Sequence, residues 1–236
     1  MRVVSLVPSA TETLLDLGVR PVACTRFCEQ PGIPTVGGTK NPEVAAIVDL
    51  APDLVVINDE ENRREDAEAL SAAGVALHAW SPRTVAAVGP GVVALAGMVG
   101  VDVPAEFASA AWAAWLDQVA PNRVARPVVA FVWRRPWMTL GADTYAASVL
   151  AYLGLAVVAA GDADARYPTV TLAAVRAEAP ELAILPSEPY PFAARHVGEV
   201  ARALPGVAVR LVDGRDLFWW GTRTPNALTR LRATLT

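Results

Sequence analysis

Short apolar runs alternate with amphipathic stretches along most of the chain. Val3 to Val7 is apolar apart from Ser5 and ends at Pro8, Thr11 to Gly18 carries helical periodicity, and Val22 to Thr25 returns to strand character. Glu43 to Leu50 reads as a helix feeding a strand over Leu54 to Asn58. Arg63 to Ala73 reads as a helix that stops at Gly74, where a left-handed cap costs least, and Val75 to Trp80 is the next strand. Strands that are apolar throughout and alternate with helices predict parallel sheets covered on both faces.

The second half restates the first. Ala51-Pro52-Asp53-Leu54-Val55-Val56-Ile57 recurs as Ala179-Pro180-Glu181-Leu182-Ala183-Ile184-Leu185, and the preceding Val44-Ala45-Ala46-Ile47 recurs as Leu172-Ala173-Ala174-Val175 at the same offset of 128 residues. Pro34-Thr35-Val36 matches Pro168-Thr169-Val170, Leu14 to Gly18 matches Leu150 to Gly154, and Val3-Val4 matches Val128-Val129 with a longer loop after it. The common order of these matches predicts two similar Rossmann-like α/β lobes, 1–103 and 124–236. Between them Phe107, Ala111, Trp115 and Leu116 recur at helical spacing from Pro104 to Ala120, predicting one connecting helix within 104–123 that holds the lobes at a preset distance.

Composition narrows the function. With 20 basic against 24 acidic residues the net charge is −4, which provides no general attraction to nucleic acid or anionic lipid. The longest apolar stretch, Val85 to Val101, is interrupted by Gly89-Pro90-Gly91 and by Gly97 and Gly100, so no membrane-spanning segment is expected. Met1-Arg2 leads into an apolar run too short for a secretory signal. The chain as numbered is therefore expected in the cytoplasm, or, if a leader has been removed, in the periplasm or on a lipid anchor outside the cell. Cys24 and Cys28 are expected as free thiols, because a strand running into a loop would hold their Cα atoms too far apart to bridge.

In open parallel sheets ligands bind beyond the carboxyl ends of the strands, so the loops there carry the candidate chemistry. Ser9 and Glu12 after the first strand have capping-box spacing, which predicts a helix cap, with the turn's amides as a second use. Thr25-Arg26-Phe27-Cys28-Glu29 follows the second strand, and Asn58-Asp59-Glu60-Glu61-Asn62 opens a helix whose first turn favours carboxylates. In the second lobe come Trp133-Arg134-Arg135-Pro136-Trp137, Arg166-Tyr167-Pro168, Ser187-Glu188-Pro189-Tyr190-Pro191-Phe192 and Phe218-Trp219-Trp220-Gly221-Thr222-Arg223. Four of the seven tryptophans thus follow strands, and large rigid faces with a few polar anchors suit a flat or bulky organic ligand. The candidate binding set is Cys28, Glu29, Trp133, Arg135, Trp137, Tyr167, Glu188, Tyr190, Trp219, Trp220 and Arg223.

Catalysis has less support. The chain has no Gly-x-Ser-x-Gly elbow, no Walker loop and no Gly-x-Gly-x-x-Gly after the first strand, and its two histidines, His78 in a strand and His196 expected on a helix surface, sit in no recognisable metal-ligand pattern. No catalytic residue and no intrinsic cofactor or metal is assigned. The alternatives are a small-molecule enzyme using Cys28 with Glu29 and Arg134-Arg135, and an interaction module whose aromatic loops meet another protein.

Val4-Ser5-Leu6-Val7-Pro8-Ser9-Ala10-Thr11-Glu12, Pro52-Asp53-Leu54-Val55 and Arg166-Tyr167-Pro168 resemble the cobalamin-binding and ferric-siderophore-binding proteins of ABC importers, the helical-backbone metal receptor superfamily. The resemblance extends over essentially the whole chain and implies a class III periplasmic-binding-protein fold. It implies a ligand held between the lobes without chemistry, cobalamin or another corrinoid, haem or a ferric siderophore, and delivery to an ABC permease. By position, the aromatic walls of the family's cobalamin receptor fall on Trp137 and Tyr167, while a first-lobe tryptophan falls near Thr39. A late acidic and basic pair falls near Phe218 and Thr222, where Trp219, Trp220 and Arg223 offer a different lining. The permease-docking glutamates fall on Ala45 and Ala173, with Glu43 a substitute in the first lobe only, which weakens that partnership.

Overall fold

Pro8 decides where the first strand ends. Its ring holds the preceding Val7 extended, at φ −134° and ψ 123°, and its fixed φ and missing N–H suit a first helical position. In the computed structural model, which describes residues 1–121, 125–162 and 164–236, the strand is therefore Val3–Ser5 (β1) and the helix Pro8–Asp16 (α1). The helix begins earlier than the spacing of Ser9 and Glu12 predicts. Ser9 lies inside it, buried, with its carbonyl accepting from the Thr13 hydroxyl, so Ser9 is not the cap.

The chain divides into two compact units: Met1–Pro82, Val88–Trp112 and Trp220–Thr222 form the first, and Arg83–Ala87, Ala113–Trp219 and Arg223–Thr236 the second. The first unit continues through Ala23–Cys24 (β2), the hairpin Gly37–Gly38 (β3) and Asn41–Pro42 (β4), then Val44–Asp49 (α2), Leu54–Ile57 (β5), Arg64–Ala72 (α3), Leu77–Ala79 (β6) and Val88–Val99 (α4). Its sheet has the order β2-β1-β5-β6 and is parallel throughout. Every residue of β1 and β5 is buried, which is why these strands read as continuous apolar runs rather than alternating ones. Val4, Leu6, Val55 and Ile57 meet Ile47 of α2 and Leu70 of α3 in the core on one side.

The connecting region is shorter and more broken than the periodicity predicts. Ala105–Phe107 is a single 3-10 turn, Ala108 is extended at φ −56° and ψ 139°, and the helix proper is Ser109–Val119 (α5). The break lets Phe107 lie 5.2 Å from Trp112, stacked and buried with it, so that Trp112 and not the predicted Ala111 is the buried member of the helix. The helix ends at Val119, beside the expected end at Ala120, and the expected lobe boundary at 123–124 lies outside the described residues.

The second unit runs Arg126–Trp133 (β7), Trp137–Thr139 (β8), Tyr145–Tyr152 (α6), Leu155–Val157 (β9), Thr169–Val170 (β10), Leu172–Ala177 (α7), Leu182–Pro186 (β11), Ala194–Ala203 (α8), Ala208–Val212 (β12), Gly214–Phe218 (α9) and Thr224–Leu235 (α10). Its parallel part has the order β9-β7-β11-β12, the same as the first unit once β7 is equated with β1 and β11 with β5. The register repeats too, with Val3 opposite Leu54 in one and Val128 opposite Leu182 in the other. What the second copy adds is an antiparallel extension: β7 runs on to Trp133, turns, and returns as β8, which pairs with β10. The extra length after Val128-Val129 is this extension. No helix among the described residues is long and apolar enough to cross a membrane.

Candidate functional site

The carboxyl end of the first unit's sheet is organised by two buried asparagines. The Asn58 side chain accepts from the backbone of Glu60 and Glu61 at 2.8 and 3.1 Å and donates to Trp80 O at 3.0 Å. Asn62 accepts from Asn58 N at 2.8 Å and donates to Leu6 O and Thr39 O at 3.3 and 3.0 Å. The loops after β1, β5 and β6 and the segment at Thr39 are thereby tied together, which gives the acidic run a fixed backbone. Arg64 then begins α3, with Glu65 and Asp66 in its first turn, where carboxylates are favoured.

After β2 the chain makes a 3-10 turn over Arg26–Cys28 and leaves it through Glu29 at φ 51°. This puts Cys28 inside, 1% exposed, and Phe27 outside, 48% exposed. The Arg26 guanidinium lies 4.8 Å over the Phe27 ring, and both pack so closely on Gly38 that a Cβ there would stand 3.1 Å from each. Phe27 is thus a supported aromatic face, and the candidate set drawn from the sequence omits it. The signal available was its position after the second strand, the same reasoning that selected Trp133. Cys28, by contrast, is covered by the turn, and Glu29 is exposed beside it.

Trp220 also turns inward. Its ring is 4% exposed and lies 4.3 Å from Trp80, whose indole nitrogen fills the space a Cβ at Gly91 would take. Gly221, at φ 106°, allows the chain to pass where a side chain would meet the Thr13 hydroxyl, and Thr222 donates to Asp16 at 2.5 Å. Trp220–Thr222 therefore belongs to the first unit, although the sequence assigns it to the second lobe, and Trp220 fills that unit's own core.

In the second unit the aromatic residues form one chain of ring contacts. Trp137 stacks on Phe192 at 6.1 Å with planes 7° apart and tilts against Phe131 at 4.9 Å, both of them core residues. Tyr190 meets Phe192 at 4.7 Å, His196 at 5.5 Å and Trp133 edge-on at 5.6 Å. The series runs from the buried core to Trp133, which is 43% exposed. Arg134 reaches over Trp137 at 5.9 Å while its guanidinium is paired to Glu199 at 2.8 Å, and that pairing keeps it above its usual range. His196 is buried against Tyr190 and Phe192 rather than on the helix surface; burial, with Arg195 and Arg134 nearby, pushes its imidazole down, and its Nδ1 accepts from Ala193 N at 3.0 Å. Arg135 stands exposed on the turn between β7 and β8, at φ 69°.

Around Trp219 a second arrangement forms. The guanidiniums of Arg215 and Arg223 lie 5.0 and 5.3 Å from its ring centre. Buried Asp216 holds Arg223 at 2.9 Å and Arg230 at 2.6 Å. Glu188 packs against Gly214, which opens α9, and Ser187 Oγ accepts from Gly214 N at 2.9 Å, joining the loop after β11 to that after β12. Tyr167, half-buried, immediately precedes the Pro168 carbonyl that accepts from Thr139 N at 3.1 Å, so it lies on the antiparallel extension with Trp137. The structure thus joins Trp133, Trp137 and Tyr190 in one cluster and Trp219 with Arg223 in another. It keeps Cys28 and Trp220 as interior residues of the first unit.

No protein-family model matches the chain, and no curated protein matches it. Solved structures do. The periplasmic vitamin B12-binding protein BtuF of Vibrio cholerae is 18% identical over 98% of this chain and 95% of that one, with a TM-score of 0.78. The periplasmic heme-binding protein HutB of Vibrio cholerae is 17% identical over 99% and 98%, with a TM-score of 0.77. The periplasmic heme-binding protein RhuT from Roseiflexus sp. RS-1, in apo form, is 22% identical over 98% and 96%, with a TM-score of 0.76. At these identities the likeness is one of fold: the chain has the two-unit α/β architecture of these periplasmic binding proteins.

Proposed function

We propose that the protein binds, without transforming it, a bulky metal-containing organic ligand: cobalamin or another corrinoid, haem or a ferric siderophore. The observation that carries this reading is the presence, on each unit, of an exposed ring at the carboxyl end of a strand. Phe27 follows β2 and Trp133 ends β7, and each stands beside arginine. Large apolar faces bordered by a few cations suit a flat ligand with an anionic periphery. The metal would arrive inside that ligand rather than in a protein-built centre. Trp219 with Arg223, Tyr167, Glu188 and Arg135 complete the proposed lining on the second unit, Tyr190 supports Trp133 edge-on, and Trp137 continues the aromatic series through Phe192.

Delivery to an ABC permease is part of the same reading in a weakened form. Ala45 and Ala173 are exposed in the first turns of α2 and α7, where the resemblance places docking glutamates, and only Glu43 offers a carboxylate nearby. Loss of rim charges slows and weakens association more than it abolishes it.

Tryptophan fluorescence tests the binding function. Titration with hemin, cyanocobalamin and a ferric catecholate should quench the emission saturably for at least one of them. The absence of saturable quenching, together with an unchanged melting temperature across the panel, would reject it.

A further inference from the structure

Cys24 ends β2 and Cys28 closes the 3-10 turn that follows, so only Thr25, Arg26 and Phe27 separate them. An extended segment would part the two side chains; the turn folds Cys28 back into the same small buried cluster as Cys24. Both are 1% exposed and lie with Ile33 in a small buried cluster backed by Leu15. Thr11 Oγ1 donates to Cys28 Sγ at 3.1 Å, and Thr25 Oγ1 stands 3.3 Å from the same sulfur. Cys24 is fixed by its backbone, donating to Pro34 O at 3.0 Å and accepting from Val36 N at 2.9 Å, whereas Cys28 N is held by Thr25 O of its own turn at 3.0 Å. One sulfur is anchored in the sheet and the other sits on a short turn between exposed Phe27 and Glu29.

We propose that Cys24 and Cys28 are a peroxide-reactive dithiol that closes to an intrachain disulfide around the Thr25-Arg26-Phe27 turn. The two thiols are electronically unequal. The Cys24 thiol beside it, followed by the Thr11 and Thr25 hydroxyls, outweighs burial and lowers Cys28 below the usual thiol range, so Cys28 is the sulfur that gives up its proton first. The same contact, with burial, holds Cys24 well above the usual thiol range, so the proton stays there. The Cys28 thiolate attacks one oxygen of hydrogen peroxide, the O–O bond breaks, and hydroxide leaves with Cys28 as a sulfenic acid. Cys24 sulfur then displaces the sulfenic oxygen; the Cys24 proton and the departing hydroxide make water, and the S–S bond forms. Peroxide gains the two electrons that the two sulfurs lose, and two waters result in all. Because Arg26 and Phe27 lie inside the bracket, closure also resets the ring presented at the ligand end of the first unit. That consequence rests on the binding function proposed above; the disulfide itself does not.

The test is made on the full folded chain. Protein is exposed to a small excess of hydrogen peroxide, quenched with catalase, denatured and alkylated with iodoacetamide, and its intact mass is measured. Untreated protein should take up two alkyl groups; treated protein should take up none and be lighter by two hydrogens. Cys24→Ser should halt at a sulfenic acid on Cys28 that dimedone traps, and Cys28→Ser should leave Cys24 unoxidised. Both thiols still alkylating after peroxide, oxidation only to intermolecular dimers, or equally fast oxidation of Cys24 in Cys28→Ser would each overturn the proposal; the wild-type mass decides it even where a variant folds poorly. Hemin titration of reduced and oxidised wild type should differ severalfold in affinity. Equal affinities would remove the effect on the ligand face, and no hemin binding by either form, with the disulfide present, would count against the binding function alone.

Discussion

Trp220 and Trp133 both read from the sequence as ligand walls after strands, but Trp133 ends β7 and Trp220 follows α9, their surroundings assign them opposite work, and truncating each to alanine separates the two. Trp220 is 4% exposed against Trp80, with ring centres 4.3 Å apart. Truncating a buried tryptophan costs about 3–5 kcal/mol, transfer and cavity terms together. In a chain of this size that corresponds to a fall in Tm of roughly 6–20 °C. Trp133 is 43% exposed, and its ring contact with Tyr190 is edge-on at 5.6 Å, so its truncation costs about 0.5–1.5 kcal/mol and a few degrees at most. Binding should respond in the other sense, with Trp133→Ala weakening the tightest ligand by about 1–3 kcal/mol, a 5- to 150-fold change. The inner pair can be probed from its far side as well. A Cβ at Gly91 would stand 2.0 Å from Trp80 Nε1, so Gly91→Ala must displace Trp80 and should destabilise on its own. In the double variant the space left by Trp220 gives Trp80 somewhere to go, and the two losses should sum to less than their separate values. Circular dichroism melts of the variants make the comparison; a Trp220→Ala protein melting within 2–3 °C of wild type, as an exposed ring would allow, would refute the reasoning.

Other consequences follow from single contacts. His78 is held below its ordinary value by burial, with Nε2 enclosed and without a partner, so the unfolded chain takes up that proton first. Its contribution is intact above about pH 6.5 and is lost as the pH falls toward the depressed folded value, so His78→Leu should shrink the drop in Tm between pH 7 and pH 5. Asp216 is 7% exposed and holds both Arg223 and Arg230, so Asp216→Ala takes a shared anion away from a largely buried guanidinium; discounted for the half-exposed Arg230, the loss should be about 2–3 kcal/mol by urea denaturation. Gly214→Ala would set a Cβ 2.4 Å from Glu188 Cγ and 2.5 Å from Glu188 N, so the loops after β11 and β12 must part. That variant should lose about 1–3 kcal/mol, and a wild-type melting curve would show that the loops are not joined as described.

The parallel strands were legible because burial on both faces leaves an unbroken apolar run, and the duplication because equivalent strands keep the same register, Val3 with Leu54 and Val128 with Leu182. Local signals competed less clearly at element ends. Pro8 outweighed the Ser9 and Glu12 spacing in starting α1, since a proline ring constrains two residues' backbones while a cap contributes one hydrogen bond. The extended Ala108 was not legible, since nothing in its own chemistry opposes a helix; Phe107 and Trp112 stack only once the chain bends there. At the candidate site the sequence located the loops but not the direction of the rings. Whether a tryptophan after a strand turns in or out depends on a distant gap, and for Trp220 the partner Trp80 sits in the space left by Gly91. Phe27 faces outward and Cys28 inward because of the 3-10 turn over Arg26–Cys28, which no residue type in that segment announces.

The central claim is that aromatic faces at the strand ends hold a metal-containing organic ligand, and equilibrium dialysis measures it most directly. Wild type dialysed against hemin, cyanocobalamin or a ferric catecholate should retain at least one of them saturably at a fixed stoichiometry. Phe27→Ala and Trp133→Ala, each folded with a near-wild-type melt, should retain markedly less at the same free concentration. Retention of none of the three by wild type, or undiminished retention by both variants, would contradict the account.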